Sequence, residues 1–200
     1  TSLSSNYVYC IYEDSFHNLW IGTSKGLNMF NRKNSKSSTN YRASGLPSDV
    51  INGILEDNQG NLWIGTFGGG VNVLNLNNQK FTYYKNNPAD STSIVDDNII
   101  RIYKDRKGNM WVGTTKGLSR YSKENKTFKN YDEKNGLANN FIYGILEDEE
   151  GNLWISTNNG ISKFNPEKET FKNYYVQDGL QGNEFNQNAF AKDNKTSRLL

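Results

Sequence analysis

The sequence holds one cysteine and one histidine in 200 residues. A single cysteine excludes a disulfide framework and a cysteine-based zinc site, and a single histidine excludes any site built on two. We therefore expect no metal and no cofactor. Proline, with 3 residues, is too scarce for a collagen-like or proline-rich chain. No stretch approaches the roughly 20 apolar residues of a membrane-spanning helix, so no membrane contact is expected in this segment.

An excess of charge of one sign is also missing. There are 23 basic and 21 acidic residues, spread evenly, which give a net charge of +2. Nucleic-acid-binding domains carry clustered basic residues, so a nucleic-acid partner is not expected. The start of the chain lacks the basic residues and the apolar run of a signal peptide, which indicates a cytosolic protein or a piece of a longer one. Aromatic residues, by contrast, reach 13%, which is typical of a folded chain.

The motif Asn-Leu-Trp-Ile-Gly-Thr occurs four times with small changes. The copies begin at Asn18, Asn61, Asn109 and Asn152, and their tryptophans are 43, 48 and 43 residues apart. Propeller blades repeat at roughly 40–50 residues. The small glycine beside the large tryptophan suits close packing of one sheet on another. The sequence therefore predicts an all-β fold, a β-propeller of four-stranded antiparallel blades, with a β-sandwich as the alternative.

Each repeat predicts four short strands rich in β-branched and aromatic residues. In the second repeat these are 51–57, 62–66, 71–74 and 80–84. The fourth strand of the first repeat is less distinct and is predicted around Tyr41. No window has a sustained helical period, so almost no helix is expected. We divide residues 1–200, a partial β-propeller, into repeat units of about 1–46, 47–94, 95–137 and 138–182, with 183–200 as the start of a fifth blade.

Glycine occupies the turn between the first two predicted strands in three repeats, at Gly60, Gly108 and Gly151. A hairpin loop often needs a positive φ at this place. His17 holds the equivalent position in the first repeat, and histidine tolerates the left-handed region better than most residues. The only histidine is therefore predicted to be a turn residue.

The full pattern is Ile-x-x-Ile-x-Glu-Asp-x-x-Gly-Asn-Leu-Trp-Ile-Gly-Thr-x-x-Gly-Leu-x-x-Phe-Asn, preceded by Gly-Leu-Pro-Ser-Asp at 45–49. It resembles the two-component regulator propeller repeat over essentially the whole chain. That family builds the periplasmic sensor regions of hybrid two-component histidine kinases of Bacteroidetes. Such a region has two seven-bladed propellers, and a β-sandwich, a membrane helix and a kinase core follow.

This resemblance implies a periplasmic location, as the extracytoplasmic part of an inner-membrane protein. It implies a propeller that responds to an oligosaccharide and relays the signal across the membrane by a conformational change. Its implied partners are the missing blades and the β-sandwich of the same sensor chain, which would form a homodimer at full length. A ring of seven blades needs about a hundred residues more, so we expect a piece whose open ends self-associate.

In propellers of this strand order the first strand is innermost. The loops that enter it then form one face with the loops between the second and third strands, and such loops commonly carry binding. Asn6, Asp49, Asp97 and Asn140 form a ring of similar residues there. They could bind a polar ligand, but recurrence in every repeat favours capping of their own turns.

Arg101 departs from the repeat. The equivalent residues of the other units are Cys10, Gly53 and Gly144. Strict alternation predicts that Arg101 shares a face with Ile99 in tight surroundings near the axis. Its planar guanidinium could bind an acidic or hydroxyl-rich ligand, or it could form a structural ion pair with Asp97, and the two alternatives weigh equally.

Phe67 lies in a loop between strands two and three that is one residue longer than its equivalents. It could be an exposed platform for a sugar ring or a partner. Packing on the neighbouring blade is the favoured alternative. Arg101, Asp97, Phe67, Asp49, Asn140 and Asn6 are thus the candidate ligand-binding residues, and no catalytic residue is assigned.

An enzyme is not expected. Streptogramin lyases, propellers of similar repeat, use a histidine and acidic residues with a metal, and His17 is predicted on the side opposite the mouth. The aspartates that follow each first strand recur identically at turns, which indicates a structural role. A protein-interaction propeller without a small ligand is the alternative to a sensor, and a glycan-active lyase is a remote one.

Overall fold

The structure, a computed structural model, describes residues 3–31, 36–37 and 45–186. It contains four antiparallel sheets of four consecutive strands, which we call blades one to four. Blade one contains β1 (Val8–Glu13), β2 (Asn18–Thr23), β3 (Gly26–Asn31) and β4 (Lys36–Ser37). Blade two contains β5 (Ile51–Glu56), β6 (Asn61–Thr66), β7 (Gly70–Asn75) and β8 (Phe81–Tyr84). Blade three contains β9 (Ile99–Lys104), β10 (Met110–Thr114), β11 (Leu118–Ser122) and β12 (Thr127–Tyr131). Blade four contains β13 (Ile142–Glu147), β14 (Leu153–Thr157), β15 (Gly160–Asn165) and β16 (Thr170–Tyr174).

The predicted all-β fold of four-stranded antiparallel blades is confirmed. Helical structure among the described residues is limited to two 3₁₀ turns, Glu133–Asn135 and Val176–Asp178. No helix in this part of the chain has the length and apolar character to cross a membrane. The strand predicted around Tyr41 lies outside the described residues. The fourth strand of blade one is β4. Most of the predicted fifth blade, residues 187–200, also lies outside them.

The turn residues follow the prediction. His17 has a φ of 64°, and the glycine at the same place in blade two, Gly60, has a φ of 75°. Both are in the left-handed region, where glycine meets no steric penalty and histidine only a modest one. The His17 ring is exposed and its Nδ1 lies 2.9 Å from Oε1 of Glu13. Local turn geometry therefore accounts for the only histidine of the chain.

One hydrogen-bond arrangement recurs at the turn between the first two strands of every blade. In blade three the buried Asp105 carboxylate accepts from the indole Nε1 of Trp111 at 2.8 Å and from the backbone N and Nδ2 of Asn109 at 2.8 Å each. The same indole-to-carboxylate distance is 2.7 Å for Trp20–Asp14, 2.9 Å for Trp63–Asp57 and 2.9 Å for Trp154–Asp148. The arrangement joins the turn to the second strand. It also gives the indole N–H a hydrogen-bond acceptor, which this donor would otherwise lack in the protein interior. The aspartates are structural, as predicted.

Each first strand carries a bulge near its beginning. In blade three Ile99 lies opposite Thr114, whereas Arg101 lies opposite Gly113. The extra residue therefore puts Ile99 and Ile102 on one face and Arg101 on the other. The prediction that Arg101 shares a face with Ile99 is wrong, because a bulge breaks the strict alternation on which it relied.

In blades two, three and four the isoleucine face packs on the strand-two glycine of the blade before it. A Cβ on Gly113 would lie 2.6 Å from Cγ2 of Ile142, and one on Gly65 would lie 2.6 Å from Cγ2 of Ile99. Only glycine leaves room for this approach. Three apolar clusters result, each joining the tryptophan of one blade to the next blade: Trp20 with Ile51, Trp63 with Ile99, and Trp111 with Ile142.

A second buried carboxylate joins neighbouring blades. Glu56, at the end of β5, accepts from the backbone N and Oγ of Ser15 in the turn of blade one, at 2.7 Å each. Glu147 accepts from the backbone N of Arg106 at 2.8 Å in the same way. In blade three Lys104 takes the glutamate position and donates to the Glu56 carbonyl at 2.9 Å. In blades two, three and four the last residue of the first strand, just before the turn aspartate, thus bonds to the preceding blade.

The first blade presents this docking face to solvent. Val8 and Ile11 are 40% and 61% exposed, whereas their equivalents Ile51 and Ile54 in blade two are 0% and 8% exposed. The open ends that the repeat count predicts stay a prediction. The self-association expected of such ends stays a prediction.

Replacing Asp105 with alanine should lower the free energy of unfolding by about 3 kcal/mol, because the buried indole and amide donors lose their acceptor. Urea unfolding followed by tryptophan fluorescence measures the change. Asp90→Ala is the control, since Asp90 is exposed and its carboxylate accepts from the backbone N and the Oγ1 of Thr92. Equal effects of the two substitutions would show that the indole–carboxylate bond is not what stabilises the blade.

Gly113→Ala should destabilise the chain by about 2 kcal/mol, because its Cβ overpacks against Ile142. Gly182→Ala is the matched control, since a Cβ there would meet nothing within 4 Å. Thermal unfolding of both variants measures the difference. A Gly113→Ala variant as stable as the parent would mean that the blades can separate slightly without cost.

Candidate functional site

The inner ends of the blades are formed by the first strands. β1 contacts β5, β5 contacts β9, and β9 contacts β13. At the end where these strands begin, the residue after each strand-two threonine donates its backbone N to the chain just before the first strand. These bonds are Ser24 to Tyr7 at 3.0 Å, Phe67 to Val50 at 2.9 Å, Thr115 to Asn98 at 3.3 Å and Asn158 to Phe141 at 3.2 Å. This loop face therefore has a fixed backbone in every blade.

Two of the predicted ring residues cap their own connections. The Asp97 Oδ1 accepts from the backbone N of Asn86 at 2.7 Å. The Asn140 Oδ1 accepts from the backbone N of Glu133 at 2.9 Å, and the Asn140 backbone N donates to Oε1 of Glu133 at 3.0 Å. These side chains therefore hold the connections that lead into β9 and β13, and the choice between capping and ligand binding at the ring stays a prediction.

The backbone at the ring positions also joins blades. The Asp49 carbonyl accepts from the N of Gly26 at 2.7 Å, and the Asp97 carbonyl accepts from the N of Gly70 at 3.0 Å. Asp49, Asp97 and Asn140 are half-buried, while Asn6 is exposed. The four residues occupy equivalent places on the loop face, and Asn6 is the member most open to solvent.

Arg101 is half-buried on β9. Burial lowers the pKa of its guanidinium, and its electrostatic neighbours are the thiol of Cys10 and the phenol of Tyr103. Cys10 belongs to blade one and Arg101 to blade three, so the guanidinium acts across the inner ends of the blades. The structure thus places Arg101 on the first strand of blade three, within electrostatic reach of blade one and on the strand face opposite Ile99.

Cys10 behaves as a small, largely buried side chain. Its Sγ donates to the carbonyl of Ile51 at 3.6 Å. Burial raises the pKa of the thiol to about 12, although the nearby Arg101 charge partly opposes this. Thiols are nucleophilic as thiolates, so Cys10 is not an activated nucleophile at neutral pH.

The Phe67 side chain is 48% exposed. Its backbone is held from both sides, because the Phe67 carbonyl accepts from Oγ of Ser48 at 2.7 Å and Phe67 forms an isolated β-bridge with Asn98 of the next blade. The backbone of Phe67 thus joins the neighbouring blade, whereas packing of its side chain on that blade stays a prediction. The ring itself is half open to solvent on a fixed support.

Sequence reasoning missed Asp96. This carboxylate is 5% exposed and accepts from Oγ1 of Thr115 at 2.5 Å, and the Nζ of Lys116 lies 3.8 Å away. The equivalent residues of the other blades are Ser5, Ser48 and Asn139. The available signal was a charged residue where the other repeats are uncharged, one position before the ring residue Asp97.

Grooves also open between blades at the end of the strand-one turns. The groove between blades two and three has a volume of about 400 Å³ and is lined by Asp57, Trp63 and Arg120. A groove of about 390 Å³ lies between blades one and two, beside Asp14 and Trp20. These grooves border the Asp–Trp pairs that recur in every blade. We therefore attribute them to the packing of neighbouring blades and not to a ligand site. Within the described residues, no group of three or more His, Cys, Asp or Glu side chains could hold a metal ion.

Four segments of the chain match the family model described as two component regulator propeller, at residues 2–25, 45–68, 93–116 and 136–159. Each segment contains the entry to a first strand, the Glu-Asp or equivalent pair, and the tryptophan strand. Curated proteins include no match to this chain.

Solved structures show the same fold. A domain described as the extracellular part of a hybrid two component system of Bacteroides thetaiotaomicron is 32% identical, with a TM-score of 0.83, over 94% of this chain and 25% of that one. A second such domain of this bacterium is 22% identical, with a TM-score of 0.70, over 99% and 30%. Virginiamycin B lyase of Staphylococcus aureus is 14% identical, with a TM-score of 0.65, over 87% and 57%, which shows the fold alone. The chain spans about a quarter of the length of the first structure.

Alkylation of Cys10 by iodoacetamide tests the axial geometry. At pH 8 the native chain should react at least roughly a hundredfold more slowly than the urea-unfolded chain, because a raised thiol pKa leaves little thiolate. Arg101→Met should slow native alkylation further, since it removes a charge that favours the thiolate. Arg106→Met is the control. Faster alkylation in Arg101→Met than in this control would place the guanidinium elsewhere.

Proposed function

The four repeat units of this chain belong to the two component regulator propeller family, and we propose that the chain is part of the periplasmic ligand-sensing region of a hybrid two-component sensor histidine kinase. Its likeness to the extracellular domain of such a system, at 32% identity over 94% of the chain, supports this. The blades would supply a rigid scaffold and a binding face. The signal would pass as a population shift between two arrangements of a full-length dimer, biased by the ligand. The β-sandwich and further blades would be partners within the same polypeptide.

The proposal includes the division into repeat units of about 1–46, 47–94, 95–137 and 138–182, with 183–200 beginning a fifth blade. Contacts at the end of the described chain support it. The Asn183 carbonyl accepts from the N of Gly160 at 2.6 Å, as Asp49 accepts from Gly26. The Asn183 Oδ1 accepts from the N of Val176 at 2.8 Å, as Asn140 accepts from Glu133. In this proposal Asn183 would occupy the ring position of a next unit.

The proposed ligand is an oligosaccharide bound on the loop face. The observation that carries this is the half-exposed ring of Phe67 on a backbone held by two blades, because aromatic faces cover the apolar side of a sugar ring. Arg101 would donate to hydroxyl or acidic groups nearer the axis. The ring residues Asn6, Asp49, Asp97 and Asn140 would line the mouth, with Asn6 the most accessible.

The chain is proposed to act without catalysis. Its histidine lies in a strand-one turn and contacts Glu13. Its aspartates at the equivalent turns are occupied by tryptophan and asparagine donors, as in Asp57. Both groups lie at the opposite end of the blades from the loop face, so they cannot meet a ligand bound there.

Thermal unfolding of the chain against plant and host oligosaccharides tests the function. A true ligand at a hundred times its Kd should add about 2.7 kcal/mol of stability. Arg101→Ala should weaken its binding about tenfold and leave the urea midpoint unchanged, whereas Arg106→Ala, a turn variant, should leave affinity unchanged. Stable capture of a protein partner with no glycan response would instead favour a protein-interaction propeller. Turnover of a glycan that one carboxylate substitution abolishes would overturn the non-catalytic proposal.

A further inference from the structure

The four blades are copies of one unit, so each position has three internal references. Residues needed for folding recur, as the Asp–Trp pair does in every blade. A residue that differs from its three equivalents is not required by the repeat itself, so its role is specific to its own blade. The departures of this chain are therefore a guide to function, and their positions in the fold can be compared.

Two insertions lie between the second and third tryptophans, which are 48 residues apart where the other spacings are 43. One lengthens the loop between β6 and β7 by Gly69, next to Phe67. The other lengthens the connection from β8 to β9, residues 85–98, beyond its equivalent at 132–141. Both connections meet on the loop face, where the N of Gly68 and the N of Gly70 donate to the Asp97 carbonyl at 3.1 and 3.0 Å.

Phe67 is the first side-chain departure. Its equivalents are Ser24, Thr115 and Asn158. Its loop is glycine-rich, and Gly68 and Gly70 have φ values of 80° and 72°, so the loop turns in a way that other residues would resist. The bridge from Phe67 to Asn98 joins the Phe67 backbone to the connection that enters blade three.

Asp96 is the second departure, and it lies two residues from Asn98. Its carboxylate receives a hydrogen bond from Thr115, a longer one from Nδ2 of Asn98 at 3.4 Å, and the charge of Lys116 at 3.8 Å. Asp96 therefore holds Thr115 and Lys116 at one place beside the Phe67 bridge. We call Phe67, Asp96, Asn98, Thr115 and Lys116 the blade 2/3 sector.

The exposed charged group of this sector is the ammonium of Lys116. Asp96 is buried, and Asp97 beside it accepts from Asn86. The Lys116 side chain, in contrast, is 70% exposed. Arg101, the third departure, lies three residues beyond Asn98 along β9 and is half-buried. A ligand at the sector therefore meets the exposed ring of Phe67 and the ammonium of Lys116.

We propose that the blade 2/3 sector binds an acidic oligosaccharide, with a pyranose ring on Phe67 and a carboxylate of the sugar at Lys116. A ligand with an apolar ring face and an anionic group matches the exposed ring of Phe67 and the exposed ammonium of Lys116. The two residues are neighbours through the backbone, because Phe67 and Thr115 both join Asn98. This inference rests on the proposed function and narrows it to one sector and one ligand class. Asp96 serves as a positioning residue for Lys116.

Isothermal titration calorimetry of the whole chain tests the sector. The probes are the α-1,4-linked galacturonic acid trimer and the same trimer after carboxyl reduction, which is neutral. The acidic trimer should bind about fivefold more tightly, and high salt should reduce this preference, since exposed ion pairs are weak and screened. Phe67→Ala should weaken both trimers roughly tenfold through loss of the ring contact.

Lys116→Gln should remove most of the preference for the acidic trimer and leave binding of the neutral one unchanged. Lys25→Gln is the matched control, because Lys25 occupies the same loop position in blade one beside the uncharged Ser5. Equal affinities for the two trimers would overturn the assignment of an acidic ligand. Equal effects of the two lysine substitutions would overturn it too.

The failures of the two proposals are separable. If an oligosaccharide stabilises the chain but Phe67→Ala leaves its affinity unchanged, the sector is wrong and oligosaccharide sensing stands. If neither trimer nor any other oligosaccharide binds, the ligand class of the proposed function fails as well. Circular dichroism spectra and melting temperatures of Phe67→Ala and Lys116→Gln confirm that lost binding is not lost folding.

Discussion

A hydrogen bond from an indole to a buried carboxylate organises each blade. The bond between Trp111 and Asp105 fixes the ring against the sheet and closes the turn before it. The fixed ring then forms one wall of the cluster that the next blade completes with Ile142. Because the strand-two glycine beside the tryptophan lets that isoleucine approach, the packing of neighbouring blades depends on the same short motif.

The division of labour between the two ends of a blade follows from this constraint. At the turn end, carboxylates such as Glu56 and Asp57 are occupied within and between blades, so little is left for a ligand. At the loop end the backbone is equally fixed, but its side chains are less bound by packing. Side chains can therefore differ between repeats at the loop end at small cost in stability. Phe67 and Asp96, which differ from the equivalent residues of the other repeats, both lie at this end.

Blade two shows how far such variation reaches. In the other blades the first polar residue of the third strand accepts from a backbone N of the entering connection, as Ser119 does from Val95 at 3.2 Å. Pro47 holds the donor position in blade two, and a proline has no N–H. The buried Asn72 Oδ1 is accordingly left without a hydrogen bond. The blade with the altered loop is thus also the one with this unmet acceptor.

The sequence by itself determined the fold class, the strand order and the turn role of His17, because these depend on local periodicity and on residues that recur with it. It also located Arg101 and Phe67 as departures. Only the tertiary structure decided the face on which Arg101 lies, since a bulge in the strand reverses the alternation. It alone showed that Asp96, Phe67 and Lys116 are neighbours. Phe67 of blade two reaches blade three through its bridge to Asn98, and the buried Asp96 carboxylate contacts Thr115 and Lys116. Neither contact can be read from the spacing of residues in the sequence.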